Sequence, residues 1–548
     1  MRAFKSTRSI VRQAFPACLF LAVLLVLVTS ASAKELVVAL PAAPETLDPH
    51  RTLDPAATPF IAPCYQRLTE FKEGGEVKPS LAVTWRVSQD ERLYTFVLEE
   101  GAKFSDGRAV DAQAVFWSFD RLMRLGLVGP VLFPELADIE VIGPRTVRFI
   151  LHRPQPWFLA ALASPSASIV SPGLADLPPG QMDRHSLGGG VYRIDSAAPS
   201  AITLALRRDS QIKPAFDRVR YVIEPDPARR LKLLKDGEVQ IAFALSPENL
   251  EEVRQDERLN ALTPETMTTG LAAFNCRRPW LTNVEVRRAL ARAVDYQALL
   301  QAIRPDLAVR LFSPVPVGLW GRSSDIRRHD YNPEEAKKQL AALGPPPGPL
   351  KILHDGTDDG QRRAAERIGE AFEAVGLKVE SAVLSGEALR RALTAGEFDL
   401  ALAGRRPLVA HPGWVLTRWL ASDRFGPEAN LAFYAKPEVD AWLAEAETAV
   451  ERKTLLGLYA KLQAAAAEDA PYLYLYQTKA FIGAVKTLGD FTVSPAMPEA
   501  LPLTRLGGKA ESKPDRQPSA KPGEGKPADG KPAPEKEPAP DKPPDWTP

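Results

Sequence analysis

The eleven residues "GRRPLVAHPGW" (404–414) place Arg405, Arg406, His411 and Trp414 in one short segment. Two guanidinium groups could grip a carboxylate or phosphate as planar forks. An imidazole could donate a hydrogen bond or move a proton, and an indole could stack on a ring or sugar face. The same residues could equally form a solvated loop in which His411 merely packs. "FDLALA" (398–403) runs into the segment and reads as a strand, so the cluster begins where a strand ends.

Known catalytic spacings are missing from the chain. There is no H-E-x-x-H, no G-x-S-x-G elbow, no Walker loop and no paired C-x-x-C. The six histidines (50, 152, 185, 329, 354 and 411) include no i,i+4 pair suited to a metal. "HDGTDDG" (354–360) misses the calcium-loop pattern, and Asp358 or Asp359 reads more simply as the cap of a following helix. "LGGGVY" (187–192) precedes a strand-like "YRI", so no helix dipole supports a phosphate there, and a glycine turn with close backbone packing is expected. Nothing nominates a nucleophile with its base. An enzyme is therefore not expected, nor any cofactor or metal; an exported hydrolase is the weaker rival.

The ends of the chain differ from its middle. Arg2, Lys5, Arg8 and Arg12 precede the apolar run "ACLFLAVLLVLV" (17–28) and the small residues "SASA". That is a cleavable secretory signal ending near Ala33; the run is too short for the ~20 residues that span a bilayer. At the other end, residues 509–548 hold 11 of the 51 prolines, and Trp546 is their one large apolar side chain. Such a segment cannot bury enough surface to fold, so a disordered tail is expected. The formal net charge of +1 gives no electrostatic case for nucleic acid. Without the signal, Cys64 and Cys276 remain in an exported chain, and a bridge between them is left open.

Between the ends, helix and strand patterns alternate. Strands are read at 34–40, 93–99, 145–151, 350–354, 377–384, 398–404 and 471–477. Helices are read at 111–125 with Asp111 as cap, at 285–303, at 358–376, and as a pair at 437–450 and 452–469. The run 350–384 is a βαβ-type unit. The fold class is α/β with mixed sheets in more than one lobe.

The stretch "PSLAVTWRVSQDERLYTFVLEEGAKFSDGRAVDAQAVFWSFDRL" (79–122) resembles a signature of the extracellular solute-binding proteins of family 5, the peptide-, nickel- and oligosaccharide-binding components of ABC importers. The family pattern P-x-L-A-x-x-W, D-x-x-x-Y-x-F-x-L, K-F-x-D-G is met by Pro79, Leu81, Ala82, Trp85, Asp90, Tyr94, Phe96, Leu98, Lys103, Phe104, Asp106 and Gly107. "LGGGVYRI", "PDPARRLKLLKDGEVQIAF" (225–243), "FNCRRPWLTNVEVRRALARAVD" (274–295), "YNPEEAKKQLAALG" (331–344) and "NLAFYAKPEVDAWLAEA" (430–446) continue the likeness over about residues 36–500. Most of these positions, Arg287 included, read as scaffold.

The resemblance implies a type II-like, two-lobed periplasmic binding protein with an extra domain beside the first lobe. The expected organisation is a signal peptide (1–33), a first lobe from 34–78, 185–270 and 481–508, an extra domain (79–184), a second lobe (271–480) and the tail (509–548). The chain would cross between lobes near Gly270–Asn275 and return near Phe481. The expected role is capture of a small-molecule ligand by hinge closure and delivery to an ABC permease of the inner membrane. The protein would be a periplasmic monomer without nucleic acid. A sensory or chaperone-like binding protein with no transporter of its own is the alternative.

In the family's peptide binders, the loop after "FDLALA" carries an aspartate that pairs with the ligand's ammonium group, commonly just before a D-P or E-P pair. Here His411 stands before Pro412, and no Asp or Glu occurs between 400 and 422. A desolvated ammonium group needs an anionic partner, so an ordinary peptide with a free amino terminus is not the expected ligand. Arg405, Arg406, His411 and Trp414 are the candidate ligand residues of this loop. Thr268, Thr269 and Gly270 are the candidates from the facing segment "TTGLAAFNC" (268–276).

Overall fold

A computed structural model of the chain describes residues 34–507, apart from 73–74, 178–180, 182–185 and 450. The expected signal (1–33) and tail (509–548) lie outside the described residues. Among the described residues, no helix is long and apolar enough to cross a membrane.

Two large sheets organise the molecule. In the first, seven strands run in the order Leu259–Leu262, Ile482–Val485, Ile241–Phe243, Glu35–Leu40, Arg218–Ile223, Ala201–Leu206 and Tyr192–Ala198. Glu35–Leu40 lies at its centre, parallel to both neighbours. That strand is buried on both faces, which is why it reads as a continuous apolar run rather than an alternating one. The second sheet has six strands, in the order Ala308–Arg310, Tyr472–Lys479, Glu265–Phe274, Leu400–Arg405, Leu350–Asp355 and Val379–Leu384. Its parallel pair Leu350–Asp355 and Val379–Leu384 is joined by the helix Asp359–Ala374. The Asp358 carboxylate accepts the Gln361 N–H at the start of that helix.

Period-two alternation decides what each face of the six-stranded sheet packs against. Leu400, Leu402, Leu473 and Leu475 join one core with the helices Val284–Ala293, Tyr296–Ile303 and Asp359–Ala374. Ala401, Ala403, Tyr472 and Tyr474 face the other way. Their core runs without a break into a four-stranded antiparallel sheet (Ala82–Val87, Leu93–Leu98, Thr146–Leu151, Leu136–Gly143). That smaller sheet is packed by edge-on aromatic pairs, such as Phe119 with Phe149 at 4.8 Å between ring centroids. Its helix Ala112–Leu125 is capped by Asp111, whose carboxylate accepts the Ala114 N–H at 2.9 Å. The same helix ties back to the first sheet's side through Arg121, which holds the buried Asp48 carboxylate at 2.7 Å.

Three sequence expectations need adjustment or an answer. The single helix expected over 285–303 is two helices, Val284–Ala293 and Tyr296–Ile303. Val294 is extended, and the Asp295 carboxylate accepts the Gln297 and Ala298 N–H groups, so an N-cap interrupts an otherwise helical pattern. The crossing expected near Gly270–Asn275 lies earlier. Glu265–Phe274 is one strand of the six-stranded sheet, with Glu265 opposite Lys479 and Thr269 opposite Arg405, so residues 265–270 already belong to that sheet. Cys64 and Cys276 are both free.

The glycine turn at 187–192 is a close backbone approach. A Cβ on Gly188 would stand 2.1 Å from the Cys64 carbonyl oxygen, and one on Gly190 would stand 2.3 Å from that of Pro63. Backbone cannot swing aside as a side chain can. Gly188→Ala should therefore lower the unfolding free energy by about 3 kcal/mol, read as a lower urea midpoint at unchanged slope. Gly143→Ala, whose Cβ meets nothing within 4 Å, should stay near wild type. Equal midpoints for the two variants would refute the close-packing account.

Candidate functional site

The chain leaves the seven-stranded sheet after Leu262 and enters the six-stranded sheet at Glu265; it comes back between Lys479 and Ile482. The two crossings lie side by side, because the Ala480 N–H donates to the Pro264 carbonyl at 2.9 Å. Beside them, at the carboxyl ends of the parallel strands Glu35–Leu40 and Ile241–Phe243, is a cavity of about 540 Å³. Ligands collect at such strand ends because the connecting loops open a crevice there. Leu40–Ala42 and Phe243–Pro247 form the first lobe's wall, while Thr266, Thr268 and Lys479–Phe481 line the crossing. Arg304 comes from the second lobe, and Glu499 from the carboxy-terminal segment that packs on the first.

The wall at 243–247 is held by an arginine. Arg230, 3% exposed, donates to the carbonyls of Glu224, Pro225, Phe243 and Ala244. Ala244 itself has φ of 51°, in the left-handed region that costs a non-glycine residue roughly 1 kcal/mol or more. Two of these bonds, to Phe243 and Ala244, hold the turn itself, and the other two tie it to the 224–225 segment, so the turn presents a fixed edge to the cavity.

A second cavity of about 260 Å³ lies between Thr52–Pro55, Ser164–Ser166 and Arg406–Leu408. Between the two cavities stands one ion pair. Arg406 Nη1 and Nη2 donate to Glu499 Oε1 and Oε2 at 2.6 and 2.9 Å, and Nη2 also reaches the Ala496 carbonyl at 3.1 Å. Arg406 borders the smaller cavity and Glu499 the larger. This is the two-pronged grip expected of a guanidinium on a carboxylate, but the carboxylate belongs to the protein.

The other sequence candidates have structural employments. Arg405 ends its strand on the face of Ala401 and Ala403 and lines neither cavity. Its guanidinium is buried, with Nη2 unpartnered among the described residues, and burial pulls its pKa down. His411 caps the helix Pro412–Leu420: Nδ1 accepts the Gly413 N–H at 3.1 Å, and the ring packs edge-on against Trp320 at 4.8 Å. Trp414 is buried and stands perpendicular to Trp157 at 5.8 Å, joining the second lobe to the smaller domain rather than facing a cavity. Thr269 donates through Oγ1 to the Arg405 carbonyl, and Gly270 leaves space for the Tyr476 ring, whose atoms a Cβ would meet at 2.3 Å. Thr268 alone of that segment lines the larger cavity.

Sequence reasoning missed Thr266, Arg304, Lys479 and Glu499. Lys479 was within reach, since it lies two residues before the return expected at Phe481. Arg304 follows the second half of a helix read as one piece, and Glu499 carries no local motif. Arg304, Lys479 and Glu499 are the ionisable side chains lining the larger cavity among the described residues. Glu499 is paired, whereas the Arg304 and Lys479 side chains have no hydrogen-bond or ion-pair partner among those residues. No cluster of His, Cys, Asp and Glu suited to a metal occurs among the described residues.

A model of the bacterial extracellular solute-binding proteins, family 5 Middle, matches residues 76–427. A probable D,D-dipeptide-binding periplasmic protein of Escherichia coli (strain K12) is 28% identical over 484 residues, covering 86% of this chain and 94% of that protein. Di/tripeptide-binding protein 2 of Pseudomonas aeruginosa (strain UCBPP-PA14) is 30% identical over 506 residues, covering 85% and 93%. The solved structure of HbpA2 from Haemophilus parasuis superposes with a TM-score of 0.77 at 24% identity, covering 84% of this chain and 97% of that one. The fold is that of the two-lobed periplasmic binding proteins.

His411 offers a test of its capping role. Burial holds its pKa down at about 3, so the folded ring stays neutral where an unfolded histidine, with a pKa near 6.5, takes a proton. Between about pH 6.5 and 3 the unfolded chain binds the extra proton, so stability is complete above that window and falls as pH drops through it. His411→Asn, which can still cap the helix, should flatten urea-derived stability between pH 6 and 4.5 by up to about 1.4 kcal/mol per pH unit. An unchanged slope would mean that the ring is protonated in the fold.

Proposed function

From the premise that this chain belongs to the bacterial extracellular solute-binding proteins of family 5, we propose that the 540 Å³ cavity is where it captures its solute. The protein is the solute-binding component of an ABC importer, working in the periplasm and handing its cargo to a permease of the inner membrane. The observation that carries this reading is that one cavity borders both lobes and both crossing segments at once. A rotation about the paired crossings at 263–264 and 480–481 opens or encloses it, as hinge closure requires. One chain supplies every wall, so a monomer suffices. Export depends on the amino-terminal signal, residues 1–33.

The solute is not an ordinary peptide with a free amino terminus. The Escherichia coli and Pseudomonas aeruginosa relatives are named for dipeptides and tripeptides, whose ammonium groups demand a carboxylate when desolvated. Segment 404–414 offers none. Glu499, the one carboxylate lining the larger cavity among the described residues, already spends both oxygens on Arg406.

Protein purified without refolding, then denatured, should release a small solute whose mass spectrum matches no peptide with a free amino terminus. Returned to ligand-stripped protein, that solute should shrink the radius of gyration in solution X-ray scattering, as lobes closing on a ligand must. Release of an unmodified dipeptide that rebinds with the same compaction would contradict the ligand assignment. Absence of any released solute would contradict the capture site.

A further inference from the structure

Building on that reading of the cleft, we infer that the larger cavity receives its solute by a carboxylate gripped between Arg304 and Lys479, with an apolar body laid against the first lobe. The two cations come from elements far apart in the chain. Arg304 is the residue that ends the helix Tyr296–Ile303, and Lys479 is the last residue of the second crossing strand. Both line the same cavity, both are partly buried, and neither side chain has a hydrogen-bond or ion-pair partner among the described residues.

Closing two lobes over a pair of unneutralised cations is costly, because each loses water and repels the other. The other two arginines nearest this cavity are satisfied: Arg406 is neutralised by Glu499, and Arg230, behind the wall, by four carbonyls. The Thr266 hydroxyl is occupied by Thr478, but that of Thr268 is uncommitted among the described residues and borders the cavity as a further donor. A carboxylate completes this set, accepting from the guanidinium, the ammonium and the hydroxyl. Leu40, Pro41, Phe243, Leu245 and Phe481 make the remaining surroundings apolar, which suits a carboxylate on a hydrocarbon body better than a free inorganic anion. No unpaired carboxylate waits for an ammonium group.

Three probes of matched size separate the possibilities by calorimetry on ligand-stripped protein: N-acetyl-dialanine (carboxylate only), dialanine (both charges) and dialanine amide (ammonium only). N-acetyl-dialanine should bind best and the amide not at all. Arg304→Gln and Lys479→Met should each weaken N-acetyl-dialanine by about tenfold or more, and the double variant should lose it. Urea midpoints close to wild type will show that the variants are folded. Tighter binding of the amide, or undiminished binding by the variants, overturns the charge assignment while leaving the capture site standing. Binding of none of the three also overturns it, and if the natively purified protein had released no solute, the capture site falls as well.

Discussion

The pairing of two chain crossings governs the rest of this molecule. Pro264 and Ala480 are more than two hundred residues apart in sequence, yet a 2.9 Å backbone hydrogen bond holds the outgoing and returning segments together. On one side the crossings feed two adjacent strands of the first sheet, Leu259–Leu262 at its edge and Ile482–Val485 next to it; on the other they enter adjacent interior strands of the second. Residues on either side of the crossings, Thr266, Thr268 and Lys479–Phe481, line the larger cavity. The carboxyl ends of the parallel strands Glu35–Leu40 and Ile241–Phe243 border the same cavity, so the fold and the proposed capture site share one geometric origin.

Charge then decides what the space can hold. Arg406, next after the last residue of a strand of the six-stranded sheet, reaches Glu499 in the carboxy-terminal segment, so an ion pair stands between the two cavities. At partial exposure such a pair contributes modestly to stability, and it occupies both oxygens of the Glu499 carboxylate. What remains facing the larger cavity is positive. The aromatic contact of Trp157 with Trp414 closes another flank, where the smaller domain meets the second lobe through a common apolar core.

Much of the architecture was legible because local chemistry and tertiary demand agree. Asp111 and Asp358 cap helices that their sequence pattern announces, and Gly188 and Gly190 lie against the 63–64 backbone with no room for side chains. The helix over 285–303 misled because apolar spacing persists across Asp295, whose side chain diverts the backbone N–H groups. The chain enters the six-stranded sheet at Glu265, earlier than sequence alone suggests, because an extended segment looks the same in either sheet until its partners are known. The cleft was harder still. Arg405, His411 and Trp414 have the residue types of a binding loop, but strand parity, a helix cap and a domain contact turn them inward. Glu499 lies 93 positions from Arg406, and only long-range packing could reveal their union or bring Arg304 beside Lys479.

The most direct measurement is a crystal structure of the natively purified protein with its co-purified solute in place. The account predicts density in the larger cavity with an anionic group within hydrogen-bonding distance of Arg304 and Lys479, and with Arg406 still paired to Glu499. A solute ammonium seated on Glu499, with Arg406 displaced, would contradict it.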